Sequence, residues 1–196
     1  MKKIILTVAA VFALTFANAQ EKGSEGLASG DVLLTGDFNF SSTSTGDAKT
    51  GDLTLSPGVA YMMSDNLAVI GQLAISSGTD DNGAGTETKT SGFGVAAGVR
   101  YFLTPASKFS LSVGAQVEYV SAKAEVGGVS ATAKTTAFSV PLGLHYFVSN
   151  NFAITSTWGG LGYASNDNGG NGADKTSGFG LSVGMSSISF GLAYKL

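Results

Sequence analysis

The chain has 196 residues, a formal net charge of −3, 13% charged side chains, 28 glycines and no cysteine. A soluble domain ordinarily carries nearer ~25% charge, so the deficit points away from an all-aqueous surface. The missing cysteines exclude disulfides, thiolate metal sites, a cysteine nucleophile and lipid attachment at an N-terminal cysteine, and the scattered lysines exclude the basic patch of a nucleic-acid binder.

Lys2 and Lys3 precede an apolar run from Ile4 to Phe16, and Ala17-Asn18-Ala19 forms an A-x-A cleavage site. The run is too short for a spanning helix, which needs roughly 20 residues. Residues 1–19 therefore read as a secretory signal peptide and 20–30, polar and glycine-bearing, as a flexible lead. Residues 31–196 read as a single domain.

From residue 32 onward apolar side chains recur at every second position, the signature of half-apolar strands. Val32, Leu34, Phe38 and Phe40 alternate against Leu33, Thr35, Asp37 and Asn39. Rows starting at Leu53, Leu67, Phe93, Phe109 and Phe138 continue the pattern. In a seventh row, from Phe152 to about Tyr163, Trp158-Gly159-Gly160-Leu161 interrupts it. In the eighth, the parity slips by one between Phe179-x-Leu181 and Phe190-x-Leu192, which predicts a bulge near Ser186-Ser187. The phrase Gly-[Val/Leu]-x-Tyr closes four segments, with tyrosines at 61, 101, 146 and 194. Spacings of this size hold two strands and two connections.

The connections alternate in length. Segments 63–66, 103–108 and 148–151 are short, whereas 41–51, 77–90, 120–134 and 164–176 are long and rich in Gly, Ser, Thr, Asn and Asp. Four long loops and three short turns predict an all-β, eight-stranded, antiparallel up-and-down transmembrane β-barrel, with short periplasmic turns and long external loops as the variable binding surface. The face opposite the apolar rows is mostly Gly, Ala, Ser and Thr, which suits a filled interior behind a lipid-facing surface rather than the charged exterior of a soluble barrel. Tyr61, Tyr101, Tyr146 and Tyr194 are then a periplasmic aromatic girdle, joined by Phe102, Phe109, Phe147 and Phe152.

The signal peptide, the eight alternating strands, the repeated tyrosine phrase and a last strand from Ile188 to Leu196 resemble the small outer-membrane β-barrel proteins of Gram-negative bacteria, the porin-like or opacity-type family. The resemblance implies a location in the cell outer membrane, with outer-membrane lipid as surroundings. It also implies that the last strand, through Phe190, Leu192, Tyr194 and Leu196, carries the signal read by the barrel-assembly machinery. In that family the strand commonly ends in an aromatic residue, whereas this chain ends in Leu196. No cofactor, metal or extracellular ligand is implied.

Asp37, Gln72, Arg100, Gln116, Glu118 and His145 point inward and are expected to form a polar network in the lumen, because buried charges need partners. Aligning Phe102 with Phe109 places Glu118 several residues above Arg100. His145, the single histidine, opens an alternative: a membrane-embedded, lipid-modifying hydrolase. The nearest serine on its own strand face is Ser139 and no carboxylate is placed beside it, so the expectation is no enzyme. A soluble periplasmic β-barrel carrier is the other alternative. Gly169 to Asp174 matches one copy of a calcium nonapeptide that works by stacked repetition, and Asp80, Asp81, Asp167 and Asp174 read as solvated loop acids. Gly92, Gly94 and Gly98 lack the spacing and helix of a dinucleotide fingerprint.

Overall fold

A computed structural model describes residues 26–169, 172–182 and 189–196. Its strands are β1 (Val32–Thr45), β2 (Ala48–Met62), β3 (Leu67–Asp81), β4 (Glu87–Phe102), β5 (Phe109–Val126), β6 (Val129–Phe147), β7 (Phe152–Asn166), β8 (Thr176–Ser182) and β9 (Ser189–Lys195). Neighbours in sequence pair antiparallel from β1 to β7. Segments β8 and β9 lie end to end along β7 and together form the eighth strand. Pairing of β9 with β1, from Leu33↔Lys195 to Asp37↔Gly191, closes the sheet into an eight-stranded barrel. Over Leu33 to Asp37 the β1 backbone is thus paired on both sides, by β2 and by β9, which is what a strand in lipid requires.

The three short turns fall at 63–66, 103–108 and 148–151, as alternation predicts. Three of the four long connections differ from expectation. Most of 41–51, 77–90 and 120–134 is strand, and their turns shrink to 46–47, 82–86 and 127–128, whereas in 164–176 only 164–166 and 176 are strand. These Ser- and Thr-rich stretches have water on both faces, so no apolar period marks them. They are ordered by ladder pairing, as in Ser42↔Gly51 and Lys123↔Thr132.

Outward apolar residues form a band between two aromatic levels. Tyr61, Tyr101, Phe109 and Tyr146 lie exposed at the lower level; Phe93, Tyr119, Phe138, Tyr163 and Phe179 lie exposed at the upper one. Phe93 pairs with Ser121, and Tyr119 with Thr136. The upper ring therefore steps two residues per strand through Phe93, Tyr119 and Phe138, the stagger of tilted strands. Eight to ten positions separate the levels along β4, β5 and β6, about 26–33 Å of strand, or about 20–25 Å of height at a tilt near 40°. That matches a hydrocarbon layer.

Phe102 and Phe147 do not belong to the lower girdle. Each is 2% exposed and points into the barrel, because its neighbour Tyr101 or Tyr146 points out. They join Leu33, Met62, Ala68, Ala153 and Ala193 in one core that fills the periplasmic end. The lead, described from Gly26 on, is packed there rather than free. Leu27 is 3% exposed within that core, its N–H donates to Pro105 O (2.7 Å), and Gly30 N–H donates to Met62 O (2.9 Å).

The disturbed alternation at Trp158 is a register shift: Pro141 pairs with Gly160, but Gly143 pairs with Thr157. Gly159 and Gly160 take φ of 107° and 149° there, values that only glycine adopts without strain. Phe179 and Leu181 are exposed on odd positions and Phe190 and Leu192 on even ones, so the eighth strand does change parity. The predicted bulge near Ser186-Ser187 lies outside the described residues.

Candidate functional site

Above the apolar core the inward face turns polar and encloses a chamber of about 330 Å³. Five of the six residues expected to form the interior network line it: Asp37, Gln72, Arg100, Gln116 and His145. Glu118 does not. It pairs with Ala96 on β4, four residues above Arg100; Phe102 is opposite Ser112 rather than Phe109, which brings Glu118 three residues nearer to Arg100 than that alignment does.

Gln72 Nε2 donates to Asp37 Oδ2 (3.0 Å) and lies 3.4 Å from Ser56 O. The Arg100 guanidinium, on β4, attracts the Asp37 carboxylate across the chamber. Asp37 reaches this position because residue 191 on the paired strand β9 is glycine; a Cβ there would collide with Asp37 Oδ1. A buried carboxylate is costly unless it is hydrogen-bonded or near an opposite charge; the Gln72 amide supplies the hydrogen bond and the Arg100 guanidinium the opposite charge.

His145 sits at the floor of the chamber, 4% exposed. Its Nε2 lies 3.1 Å from Ser112 Oγ on β5, and its ring meets Phe102 edge to face at 4.8 Å. Ser112 is absent from a search along His145's own strand; the signal that finds it is the β5–β6 register, in which Ser112 pairs with Gly143. A serine and a histidine at this distance are two members of a nucleophilic triad. No carboxylate appears among the interaction partners of His145, and Phe102 covers one side of the ring.

A second buried group was not legible in the sequence. Lys195 is 4% exposed and lies under the barrel floor. Its Nζ donates to Gly26 O (2.8 Å), lies 3.8 Å from Asp31 Oδ2 and sits 5.6 Å from the Phe147 ring centroid. Lys195 thus ties the last strand to the segment that precedes the first. Strand alternation alone places it inward, but its partners come from a segment with no periodic pattern.

In the assembly signal predicted for the last strand, Phe190, Leu192 and Leu196 are exposed and Tyr194 is half-buried opposite Phe152. At the other end, Asp81 Oδ1 accepts from Gly83 N–H (2.9 Å) and Asp167 Oδ1 from Gly169 N–H (3.1 Å), each within its own turn, and Asp167 Oδ1 also accepts from Lys134 N–H on β6 (2.7 Å). Among the described residues no three His, Cys, Asp or Glu side chains gather to hold a metal. Gly170 and Asn171, within the calcium-like stretch, lie outside the described residues.

A closed barrel with an outward apolar band, aromatic levels at both edges and a polar interior defines an outer-membrane β-barrel protein. The model of the outer membrane protein beta-barrel domain matches residues 4–186, and the chain belongs to that family. Its location is the cell outer membrane, in contact with outer-membrane lipid. The fold is similar to that of the outer membrane protein OprG from Pseudomonas aeruginosa, with a TM-score of 0.53, 16% identity, and coverage of 88% of this chain and 99% of that one. Neisserial surface protein A, NspA, is also similar, with a TM-score of 0.48, 18% identity, and coverage of 87% and 99%. No curated protein matches the chain. Membership of this family sets aside the soluble periplasmic carrier.

Proposed function

We propose that this protein is a non-enzymatic, non-conducting outer-membrane barrel that acts at the cell surface through its four hairpin extensions, with the interior network serving as a structural plug. The observation that carries the reading is the filled periplasmic end. Leu27, Met62, Phe102 and Phe147 pack into one apolar layer directly beneath the Asp37–Gln72–Arg100 group, and eight strands leave little interior beyond side chains. Strands that run six or more residues past Phe93, Tyr119 and Phe138 then provide the exposed polar surface. Folding depends on the barrel-assembly machinery reading Phe190, Leu192, Tyr194 and Leu196. The test is single-channel recording of the detergent-folded protein in planar bilayers. The expected result is no steady conductance, both for the intact chain and for Leu27→Ser; large, stable openings in the intact chain would make it a porin instead.

The Ser112–His145 contact favours a second reading, a lipid-modifying hydrolase. Against it, both groups are buried inside the lumen while acyl chains lie outside the wall. Treatment with a serine-directed fluorophosphonate is expected to leave Ser112 unlabelled; labelling lost in His145→Ala would establish the hydrolase.

A further inference from the structure

The tyrosine phrase that closes four segments has one copy unlike the others. The residue after each tyrosine, Met62, Phe102, Phe147 or Lys195, points into the barrel at its periplasmic floor and is at most 4% exposed. The backbone does the same thing in all four copies. Met62 N–H donates to Asp31 O (2.9 Å), Phe102 N–H to Asn66 O (2.7 Å), Phe147 N–H to Lys108 O (2.7 Å) and Lys195 N–H to Asn151 O (2.7 Å). Three copies set an apolar side chain at this level, as a floor beneath the chamber requires. The fourth sets an ammonium there, which burial makes costly unless the group is partnered.

Asn66, Lys108 and Asn151 each end a short turn, at 63–66, 103–108 and 148–151. Asp31 holds the same position before β1, yet no turn leads into it, because the strand that would feed it is the last in the chain. Of the four junctions where a periplasmic turn could sit, β9 to β1 is the one the chain leaves unjoined. This junction still makes the bond of a turn: Leu196 N–H donates to Val32 O (2.9 Å), as Met63 N–H does to Leu67 O (2.8 Å) and Val148 N–H to Phe152 O (2.9 Å).

Contacts of the lead stand where the peptide link is missing. Lys195 Nζ donates to Gly26 O (2.8 Å) and lies 3.8 Å from Asp31 Oδ2. Asp31 Oδ2 also accepts from Ala28 N–H (2.8 Å), which folds the lead back onto the start of β1. The lead is fastened in turn to two of the covalent turns, by Leu27 N–H on Pro105 O (2.7 Å) and by Ser29 N–H on Asp65 Oδ1 (3.1 Å). Gly26 is fitted to this seat. It takes a φ of 99°, and a Cβ there would fall 2.5 Å from the carbonyl carbon of Ala106.

We propose that Lys195 and residues 26–31 form a clasp that serves as the fourth periplasmic turn and holds the seam between the first and last strands closed. Strands joined by a peptide turn stay side by side when a rung opens, whereas chain ends held by rungs alone fray. The clasp stands directly beneath the rungs from Leu33↔Lys195 to Asp37↔Gly191 and opposes that fraying. The fourth copy of the phrase departs from an apolar residue because its charge is the part of the clasp that reaches across to the lead.

The experiment uses the full mature barrel, folded in a neutral detergent, and follows amide hydrogen exchange. Lys195→Met gives the fourth copy the side chain of the first, so the floor keeps its packing and the clasp is lost; heat-modifiable gel mobility shows that the variant is folded. Exchange is expected to quicken at least about tenfold at Leu27 and Gly30 and along the β1–β9 rungs, the effect of losing one charge-assisted hydrogen bond. The β4–β5 ladder is expected to be unchanged. Gly26→Val, which unseats the lead and leaves every strand residue in place, should quicken the same amides, and the double variant should add nothing further. Gly26→Val carries the test alone if Lys195→Met does not fold. Unchanged or slower seam exchange in the folded variants would overturn the clasp, since a buried charge without such a task can be replaced by an apolar side chain at no loss. Quickening confined to the lead, or spread equally over every ladder, would overturn its role at the seam.

Discussion

Below the upper aromatic ring the inner face is packed: Leu33, Met62, Ala68, Phe102 and Phe147 meet under a hydrogen-bonded polar layer, and both neighbours of β9 are in place. Above the ring the same strands continue as hairpins whose residues are largely exposed on both faces, with ladder hydrogen bonds and cross-strand Ser, Thr and charged pairs in place of a core. The difference separates two sources of order in one continuous strand. Side-chain burial and closure hold the lower half, where lipid penalises every unpaired backbone group. The upper half is held by pairing and by turns, and is the part free to vary in sequence without disturbing the barrel.

If that division is right, damage should grade with position. Truncation after Gly191 removes the β9 partners of Leu33 to Gly36 and of Phe152 to Ile154. It is expected to abolish insertion while leaving export intact, with no heat-modifiable band; normal outer-membrane assembly would refute the role given to the last strand. Next comes Phe102→Ala, which empties the centre of the periplasmic core and loses about 3–5 kcal/mol. The same change at Phe93, on the lipid side of the same strand, should cost far less in detergent unfolding titrations.

A smaller effect is expected at the strand seam. Gly191→Val drives a side chain into Asp37 and should cost about 1–3 kcal/mol, an overpacking penalty. Adding Asp37→Ala should recover much of it. Failure of that recovery would mean that residue 191 is glycine for some reason other than room for the carboxylate.

The smallest effect belongs to the upper half. Asp167, outside the spanning strands, has its pKa held below the ordinary 3.8, first by the Lys134 N–H and also by that of Gly169. A depressed carboxylate stabilises the fold above its unfolded pKa and loses that contribution as pH falls below about 4 through the folded value. Amide exchange at Lys134 should therefore accelerate below pH 4 while the core ladder is unchanged. Asp167→Asn should flatten that dependence.

Much of the lower half is legible in the residues. The short turns, the outward rows and the parity change in the eighth strand all follow from period-2 alternation, because lipid on one face and a filled lumen on the other force it. The hairpin extensions escape that reading since water lies on both of their faces, so Ser- and Thr-rich stretches that pair as strands resemble loops. Leu27 escapes for a related reason: one apolar residue among polar neighbours has no period, and only the open end of the finished barrel makes it a core residue.

The candidate site divides in the same way. Alternation is enough to send Asp37, Gln72, Arg100, Gln116, Glu118 and His145 inward. Which of them meet depends on inter-strand register, a quantity that no single strand encodes. The Ser112–His145 contact rests on the β5–β6 register, in which Ser112 pairs with Gly143, and the β4–β5 register sets Glu118 opposite Ala96, four residues above Arg100. The sequence by itself determined the class of the molecule, its membrane faces and its topology, because these depend on local period and on composition. The tertiary structure decided the network and the Lys195 tie, because closing a tilted sheet sets which residues of distant strands share a height.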